Sequence, residues 1–266
     1  VPQVWFIDNT NFGSLGAGGS GTIADPFRTV ADFNNSAGPG ANDYIVVRTG
    51  TGTYTGEGLD LQNGQQVWGA GETLSFTNPV NGNVVNIPNA GTRPTISVTG
   101  GDQGIDLASN NTIRNVNIST ASGTSGLDDG NNDVGTLVVR NMDISGAGQA
   151  VDIDQGGTLD VQLGSVSSSG GTFGMQLAGT AASGTGLLSG SFSATGGAIS
   201  GSASVGFMVG NGAGGANTGG TAAISYGGSI SSGAGVHTVN IQDHATGAVT
   251  LSGNLTYAGG NGSAIV

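Results

Sequence analysis

The sequence predicts an all-β solenoid, a parallel β-helix, from two observations. The first is a short phrase in which apolar positions flank a central one that is usually polar, a pattern typical of a strand with one buried face. Its central residues are Asp106, Asp128, Asp152, Gln176, Met208 and Asn240. The second is their spacing of 22 to 32 residues, because such periods indicate repeat architectures. Short strands separated by Gly, Ser, Asn and Asp favour stacked β coils over stacked helices.

Residues 1–71 are predicted to form an N-terminal cap and the first coils. Within them, the segment 25–33 predicts a short amphipathic helix of about two turns. Asp25 suits the N-cap and Pro26 the first helical position. The apolar residues of one side recur every three positions, and they are Phe27, Val30 and Phe33.

Residues 72–266 are predicted to comprise two segments, an irregular one followed by a repetitive one. Residues 72–103 are expected to form an irregular excursion, because Pro79, Pro88 and Pro94 remove ladder donors. Repeated coils follow over 104–266, with a Gly-rich insertion at 211–220, and residues 262–266 predict the opening strand of another coil. No Pro-rich or charged linker interrupts the chain, so 1–266 is predicted to be a single domain.

Composition excludes several classes of partner. The chain has no Cys, its five cations are all Arg, and its net charge is −12. Such a charge repels nucleic acid and anionic membranes, so neither is expected as a partner. No apolar run is long enough to insert into a bilayer. The start lacks the features of a signal peptide, which favours a mature product or a fragment of a longer chain.

A set of motifs in residues 4–71 carries a resemblance. They are Gly19-x-Gly-(x)3-Asp-Pro-Phe-x-Thr-Val30, Asn42-Asp-Tyr-Ile-Val-Val47, Gly52-Thr-Tyr54, Leu61-Gln-Asn-Gly64 and Gly69-Ala-Gly71. Together they resemble the N-terminal cap and first coils of right-handed parallel β-helices in large bacterial surface proteins, including autotransporter passengers and repeat adhesins. The resemblance implies a right-handed β-helix with a helix over its first coil, at a bacterial surface. It implies no single activity.

Asp106, Asp128 and Asp152 are the candidate catalytic residues if the chain is an enzyme. Their equivalent positions predict an outward column of carboxylates about 4.8 Å apart, the distance between strands. Neighbours about 5 Å apart suit a retaining glycosidase, and the outer two, nearer 10 Å, an inverting one. The chain has none of the cationic or His motifs that polygalacturonase-like or pectate-lyase-like β-helices place beside their acids. Solvated surface carboxylates are therefore the competing interpretation.

The densest group of oxygen ligands lies at residues 128–133. Calcium prefers such carboxylate and amide oxygens, so the candidate metal ligands are Asp128, Asp129, Asn131 and Asp133. The spacing fits no EF-hand loop, and Asx-rich turns are also common for conformational reasons alone. No cofactor is expected, with calcium as the alternative.

For function, we expect a non-enzymatic structural or adhesive module, extracellular or on the bacterial cell surface, such as a rigid stalk, an adhesin segment or a fibre subunit. The alternative is a polysaccharide-active β-helix enzyme, a glycoside hydrolase or lyase, that uses the Asp column. Expected partners are further coils of a longer parent chain, or a second copy joined head to tail into a fibre. Surface glycans are a further alternative.

Overall fold

The structure, a computed structural model, describes residues 1–10, 18–181, 183–210 and 218–266. Most of the predicted insertion at 211–220 therefore lies outside the described residues. In chain order the elements are β1 Val4–Ile7, α1 Val30–Asn34, β2 Tyr44–Val47, β3 Thr53–Gly56, β4 Leu59–Asp60, β5 Gln66–Gly69, β6 Leu74–Thr77, β7 Val84–Ile87, β8 Thr95–Val98, β9 Ile105–Asp106, β10 Thr112–Arg114, β11 Asn117–Thr120, β12 Ser125–Asp128, β13 Thr136–Arg140, β14 Ile144–Gly146, β15 Gln149–Ile153, β16 Gly157–Ser165, β17 Phe173–Leu177, β18 Leu188–Gly196, β19 Ala198–Ile199, β20 Val205–Val209, β21 Ala223–Tyr226, β22 Ser229–Ser232, β23 His237–Ile241, β24 Val249–Leu251 and β25 Leu255–Tyr257.

The strands form long parallel sheets, which confirms the predicted all-β class. Sheet A has nine strands in the order β1-β2-β5-β10-β13-β16-β18-β21-β24, and sheet C has seven in the order β4-β9-β12-β15-β17-β20-β23. Sheet B is β3-β8-β11-β14, and sheet D is β19-β22-β25. Bridges from Ile144 to Val166 and from Ser168 to Ile199 connect sheets B and D. The chain passes through these sheets in turn, and each complete passage, here called a circuit, stacks on the one before it. This arrangement is consistent with an all-β solenoid.

Apolar side chains fill the space between the sheets in columns. One column runs along sheet A from circuit to circuit, and its members are 0–1% exposed. It consists of Ile45, Val67, Ile113, Val139, Val161, Phe192 and Ile224. Full burial of such a side chain contributes about 1.5–3 kcal/mol. A column of this kind therefore holds each circuit to the next, although no single circuit could bury its apolar face alone.

The N-terminal edge of sheet A is covered. The backbone N–H of Phe6 donates to the carbonyl of Gly21, and the N–H of Phe27 donates to the carbonyl of Phe6. At the first circuit, the Asn34 side chain at the end of α1 donates to the Gly58 carbonyl at 2.8 Å and accepts from the Asp60 N–H at 3.2 Å. The backbone N–H and carbonyl of Phe6 in β1 are therefore paired with the segment that connects β1 to α1.

The helix starts later than its sequence predicts. It spans Val30–Asn34 with Thr29 as N-cap, and a reciprocal capping box joins Thr29 to Asp32 through two hydrogen bonds of 3.0 Å. The prediction of Asp25 as N-cap and Pro26 as first helical residue is wrong, because this box satisfies the free N–H groups of the first turn. Asp25 instead pairs with Arg28 at 2.6 Å.

Residues 72–103 contain regular structure where an irregular excursion was expected. Strands β6 and β7 form an antiparallel hairpin, and Leu74 packs with Phe6 and Val46 on the outer face of sheet A. The rings of Tyr44 and Phe76 stack with centroids 4.6 Å apart. The chain then returns to sheet B through β8.

The last circuit is only partly covered. Strands β24 and β25 each pair on one side, and Val249, Leu251 and Leu255 are half-buried against the core. Residues 263–266 lie beside β23, where the N–H of Val239 donates to the carbonyl of Ala264. Ile265 forms a parallel bridge with Val239, so these residues occupy the next position of sheet C, where the sequence predicts that another coil opens. No helix among the described residues is long and apolar enough to cross a bilayer.

Candidate functional site

The outer face of sheet C carries a column of aligned carboxylates. Parallel pairing places Asp106 beside Asp128 and Asp128 beside Asp152, as the repeated phrase predicts. Side chains alternate between the faces of a strand, so these three point away from the core positions of Leu127 and Val151, which are 0% exposed. Neighbouring carboxylates are therefore separated by about one strand spacing, about 4.8 Å.

Two members of this acidic surface were missed in the sequence. Asp60 pairs in register with Asp106, and the sequence signal was present, because Gly58-Leu-Asp60-Leu repeats the pattern of Gly104-Ile-Asp106-Leu. Asp102 lies in the loop before β9, where no periodic pattern marks it. Oxygens of Asp60, Asp102 and Asp106 lie within 4.8 Å of one another, and among the described residues no other group of three His, Cys, Asp or Glu side chains converges in this way.

Burial and crowding favour the protonated form of Asp60 and Asp106. Burial, followed by the nearby charges of Asp60 and Asp128, raises the pKa of Asp106 to about 6. Burial, followed by the charge of Asp102, also raises the pKa of Asp60. The Asp102 carboxylate accepts hydrogen bonds from the backbone N–H of Gly58 at 2.9 Å and of Gln103 at 3.0 Å.

Asp152 lies at the more buried end of the column. Burial, then the charges of Asp128 and Asp154, raises its pKa to about 7. Its buried Oδ1 has no hydrogen-bond partner. Beyond it the column continues through Gln176, which pairs in register with Asp152 and is 5% exposed. An acid that holds its proton near neutral pH is the type of group that can donate a proton to a leaving oxygen.

The residues predicted to bind calcium are held apart by turn geometry. Asp128 accepts a hydrogen bond from the Gly130 N–H at 2.7 Å. Asp133 accepts from the N–H of Gly135 at 2.7 Å and of Gly186 at 2.5 Å. Asn131 is exposed, whereas Asp129 is only 1% exposed. The structure therefore does not bring the three carboxylates together, and the backbone bonds of the turn account for the local density of Asp and Asn.

Asp129 is a buried acid in an otherwise apolar column. It follows Asp128 just as Ile153 follows Asp152, and the equivalent residues of neighbouring circuits are Leu107 and Leu177. Its Oδ2 accepts hydrogen bonds from the N–H groups of Asp154 at 3.0 Å and Gln155 at 2.9 Å. Burial nevertheless raises its pKa to about 8. Sequence spacing alone did not identify this inward position.

The arginines lie away from the carboxylate column. Arg114 and Arg140 are adjacent in sheet A, and their partners are Glu72 at 3.0 Å and Asp160 at 2.5 Å. The other three pairs are Arg28 with Asp25, Arg48 with Asp8 and Arg93 with Asp143. Each of the five cations of the chain is thus paired with an acid outside the column.

No protein-family model, curated protein or solved structure matches the chain significantly.

Proposed function

We propose that the chain is a right-handed parallel β-helix whose N-terminal end is capped by α1 and the segment before it. Support comes from the order in which the strands visit the sheets and from the uninterrupted parallel registers. Right-handed connections are strongly preferred between parallel strands of one sheet. The contacts of Gly21 and Phe27 with β1, and of Asn34 with the first circuit, are those expected of a cap.

We further propose a non-enzymatic role as a structural or adhesive module, extracellular or on a bacterial surface, as a rigid stalk, an adhesin segment or a fibre subunit. The observation that carries this proposal is the continuous nine-stranded sheet A, covered at β1 and paired on one side only at β24. In such a stack each circuit interacts with its neighbours alone, so circuits can be added without altering those already present.

Further coils of a longer parent chain are the partner that best fits the edge of β24 and β25. A second copy could add there only with a free strand, and β1 is paired with both β2 and the segment containing Gly21 and Phe27. Light scattering over a range of concentrations, on this chain and on one lacking residues 1–8, separates the two partners. We expect a monomer in both cases. Growth with concentration that disappears on deletion would establish head-to-tail assembly.

Surface location is tested on cells of the organism that encodes the chain. Antibodies raised against the purified chain should label intact cells, and mild protease treatment should remove the label. An antibody against a cytoplasmic protein serves as the control for lysis. Labelling that appears only after lysis would refute the proposed location.

A polysaccharide-active enzyme is the second candidate, favoured by the alignment of Asp106, Asp128 and Asp152. The raised pKa values of Asp106 and Asp152 suit a proton donor. Against this candidate, all five arginines are paired elsewhere. A panel of neutral and acidic polysaccharides tests it through release of reducing ends or of unsaturated products. Activity that is lost in Asp128→Asn would replace the structural proposal with an enzymatic one.

A further inference from the structure

A groove of about 520 Å³ opens at the corner where the chain passes from sheet C to sheet A. The connection from β15 to β16 spans only residues 154–156, whereas the connections on either side of it span 129–135 and 178–187. The short connection leaves a notch, and residues 133–135 and 184–187 of the two longer connections form its walls. The groove contains none of the aligned carboxylates of sheet C.

The floor of the groove is a row of hydroxyl groups. Thr136 pairs in register with Thr158, and Thr158 with Ser189, so their outward side chains repeat at about 4.8 Å. The hydroxyls of Thr158 and Ser189 lie 3.0 Å apart. Each hydroxyl offers one donor and two acceptor sites, which leaves capacity for an incoming polar ligand.

Asp133 and Asn110 add fixed acceptors to one side. The Asp133 carboxylate accepts from the N–H groups of Gly135 and Gly186, and it thereby connects the two walls. Asn110 accepts from the Thr136 N–H at 2.9 Å and donates to the Ser109 hydroxyl at 3.2 Å. A carboxylate has about four acceptor sites, so Asp133 can still accept hydrogen bonds from a ligand.

The lining selects the class of ligand. Asp133 is its one charged side chain, and Leu187 its main apolar one. An anionic ligand would be repelled by Asp133 and by the net charge of −12. An apolar ligand would leave the hydroxyls, the amide and the carboxylate unpaired, at a cost of about 1–3 kcal/mol for each buried group. A neutral ligand rich in hydroxyl groups satisfies all of them.

We propose that this groove binds a short stretch of a neutral glycan, held by hydrogen bonds to Asp133, Asn110 and the hydroxyls of Thr136, Thr158 and Ser189. The inference names a class of ligand for the adhesive form of the proposed role, on which it rests, whereas a rigid stalk requires no ligand. Surface labelling and groove binding are separate measurements, so either can fail while the other holds.

The test is an amide NMR titration of the whole chain with neutral hexasaccharides of glucose, mannose and galactose, and with a hexagalacturonate as the anionic comparison. We expect at least one neutral hexasaccharide to shift the amides of Gly135, Gly157 and Gly186, and the hexagalacturonate to shift none of them. Absence of any shift with every neutral sugar at millimolar concentration would overturn the proposal. Shifts confined to residues outside the groove would overturn it as well.

Two matched variants locate the binding. Thr158→Tyr fills the groove from an exposed position, and Ser145→Tyr places the same ring on an exposed position of sheet B. We expect Thr158→Tyr to weaken binding at least about tenfold, and Ser145→Tyr to bind like the original chain. If Thr158→Tyr unfolds the chain, Thr158→Val replaces the hydroxyl with a methyl group of similar size and should still weaken binding. Equal affinity in the folded Thr158 variant and the original chain would contradict the proposal.

Discussion

Asp129 occupies, in its circuit, the inward place that Ile153 occupies in the next. The carboxylate is 1% exposed, and it accepts hydrogen bonds from the backbone of the adjacent circuit at Asp154 and Gln155. These bonds favour the charged form, but burial outweighs them and raises the pKa of Asp129 to about 8, with the charges of Asp154 and Asp152 acting in the same direction. The core thus contains a titratable group whose charge opposes folding.

This position predicts a loss of stability with rising pH. Because the pKa of Asp129 is higher in the folded than in the unfolded chain, the folded state binds more protons between about pH 4 and 8. The free energy of unfolding should therefore fall as pH rises through that window. Asp129→Asn should flatten the dependence and stabilise the chain at pH 8.5 by at least about 1 kcal/mol. Urea unfolding at a series of pH values measures both effects.

A second variant separates charge from hydrogen bonding at the same site. Asp129→Leu removes the charge and also the acceptor for the Asp154 and Gln155 amides. Since an unsatisfied buried amide costs about 1–3 kcal/mol, this variant should be less stable than Asp129→Asn at every pH. An Asn variant that keeps the original slope would show that Asp129 does not cause it.

Replacing Asp128 should alter the titration of both its neighbours. The charge of Asp128 contributes to the raised pKa of Asp106 and of Asp152, so Asp128→Asn should lower both. Two charges about 4.8 Å apart in water interact by about 0.9 kcal/mol, or about 0.6 pKa unit. Carboxyl carbon NMR measures the two values. Asp160→Asn, in a different sheet, should leave them unchanged, and an unchanged Asp106 in Asp128→Asn would disprove the coupling.

The stacked core predicts different costs for one substitution at two places. Val161 is fully buried in the middle of the sheet A column, and Val249, which pairs with Ile224 beyond the end of that column, is half-buried. Val161→Ala should lower the free energy of unfolding by roughly 2–3 kcal/mol, and Val249→Ala by about 1 kcal/mol or less. Chemical denaturation followed by circular dichroism measures both. Equal costs would mean that the last circuit is covered as completely as the middle ones.

Calcium should not act through the turn at residues 128–133. A ligand at 100 times its dissociation constant stabilises the native state by about 2.7 kcal/mol, an effect that shifts a melting curve clearly. We expect any change in melting temperature with millimolar calcium, relative to EDTA, to be the same in the original chain and in Asp128→Asn and Asn131→Ala. A calcium-dependent rise that either substitution abolishes would confirm the calcium site predicted from the sequence.

The periodic features of the fold could be predicted from the sequence, whereas the choice between two possible helix caps could not. The register of Asp106, Asp128 and Asp152 followed from the repeat, because one buried face fixes which residues align. The start of α1 was mispredicted because both Asp25 and Thr29 can cap a helix, and the reciprocal bonds between Thr29 and Asp32 decide between them.

In the candidate sites too, residues that follow the repeat could be predicted from the sequence and residues placed by loops could not. Asp60 belonged to the repeat and was detectable, whereas Asp102 approaches Asp60 and Asp106 only through the path of a loop. Residues 128–133 looked like one cluster because they are adjacent in sequence. The strand alternation places Asp129 inward and Asp128 outward, so adjacency did not give proximity of the carboxylates.

The stacking of sheet A also determines how far such a chain can reach. Nine strands at about 4.8 Å per step extend about 38 Å. The repeated phrases are 22 to 32 residues apart, so each residue adds about 0.2 Å of length, against 1.5 Å for each residue of an α-helix. Most residues of such a stack therefore contribute to its width and stiffness and few to its length. A stalk of this design that projected several hundred ångströms from a cell would need a chain of thousands of residues.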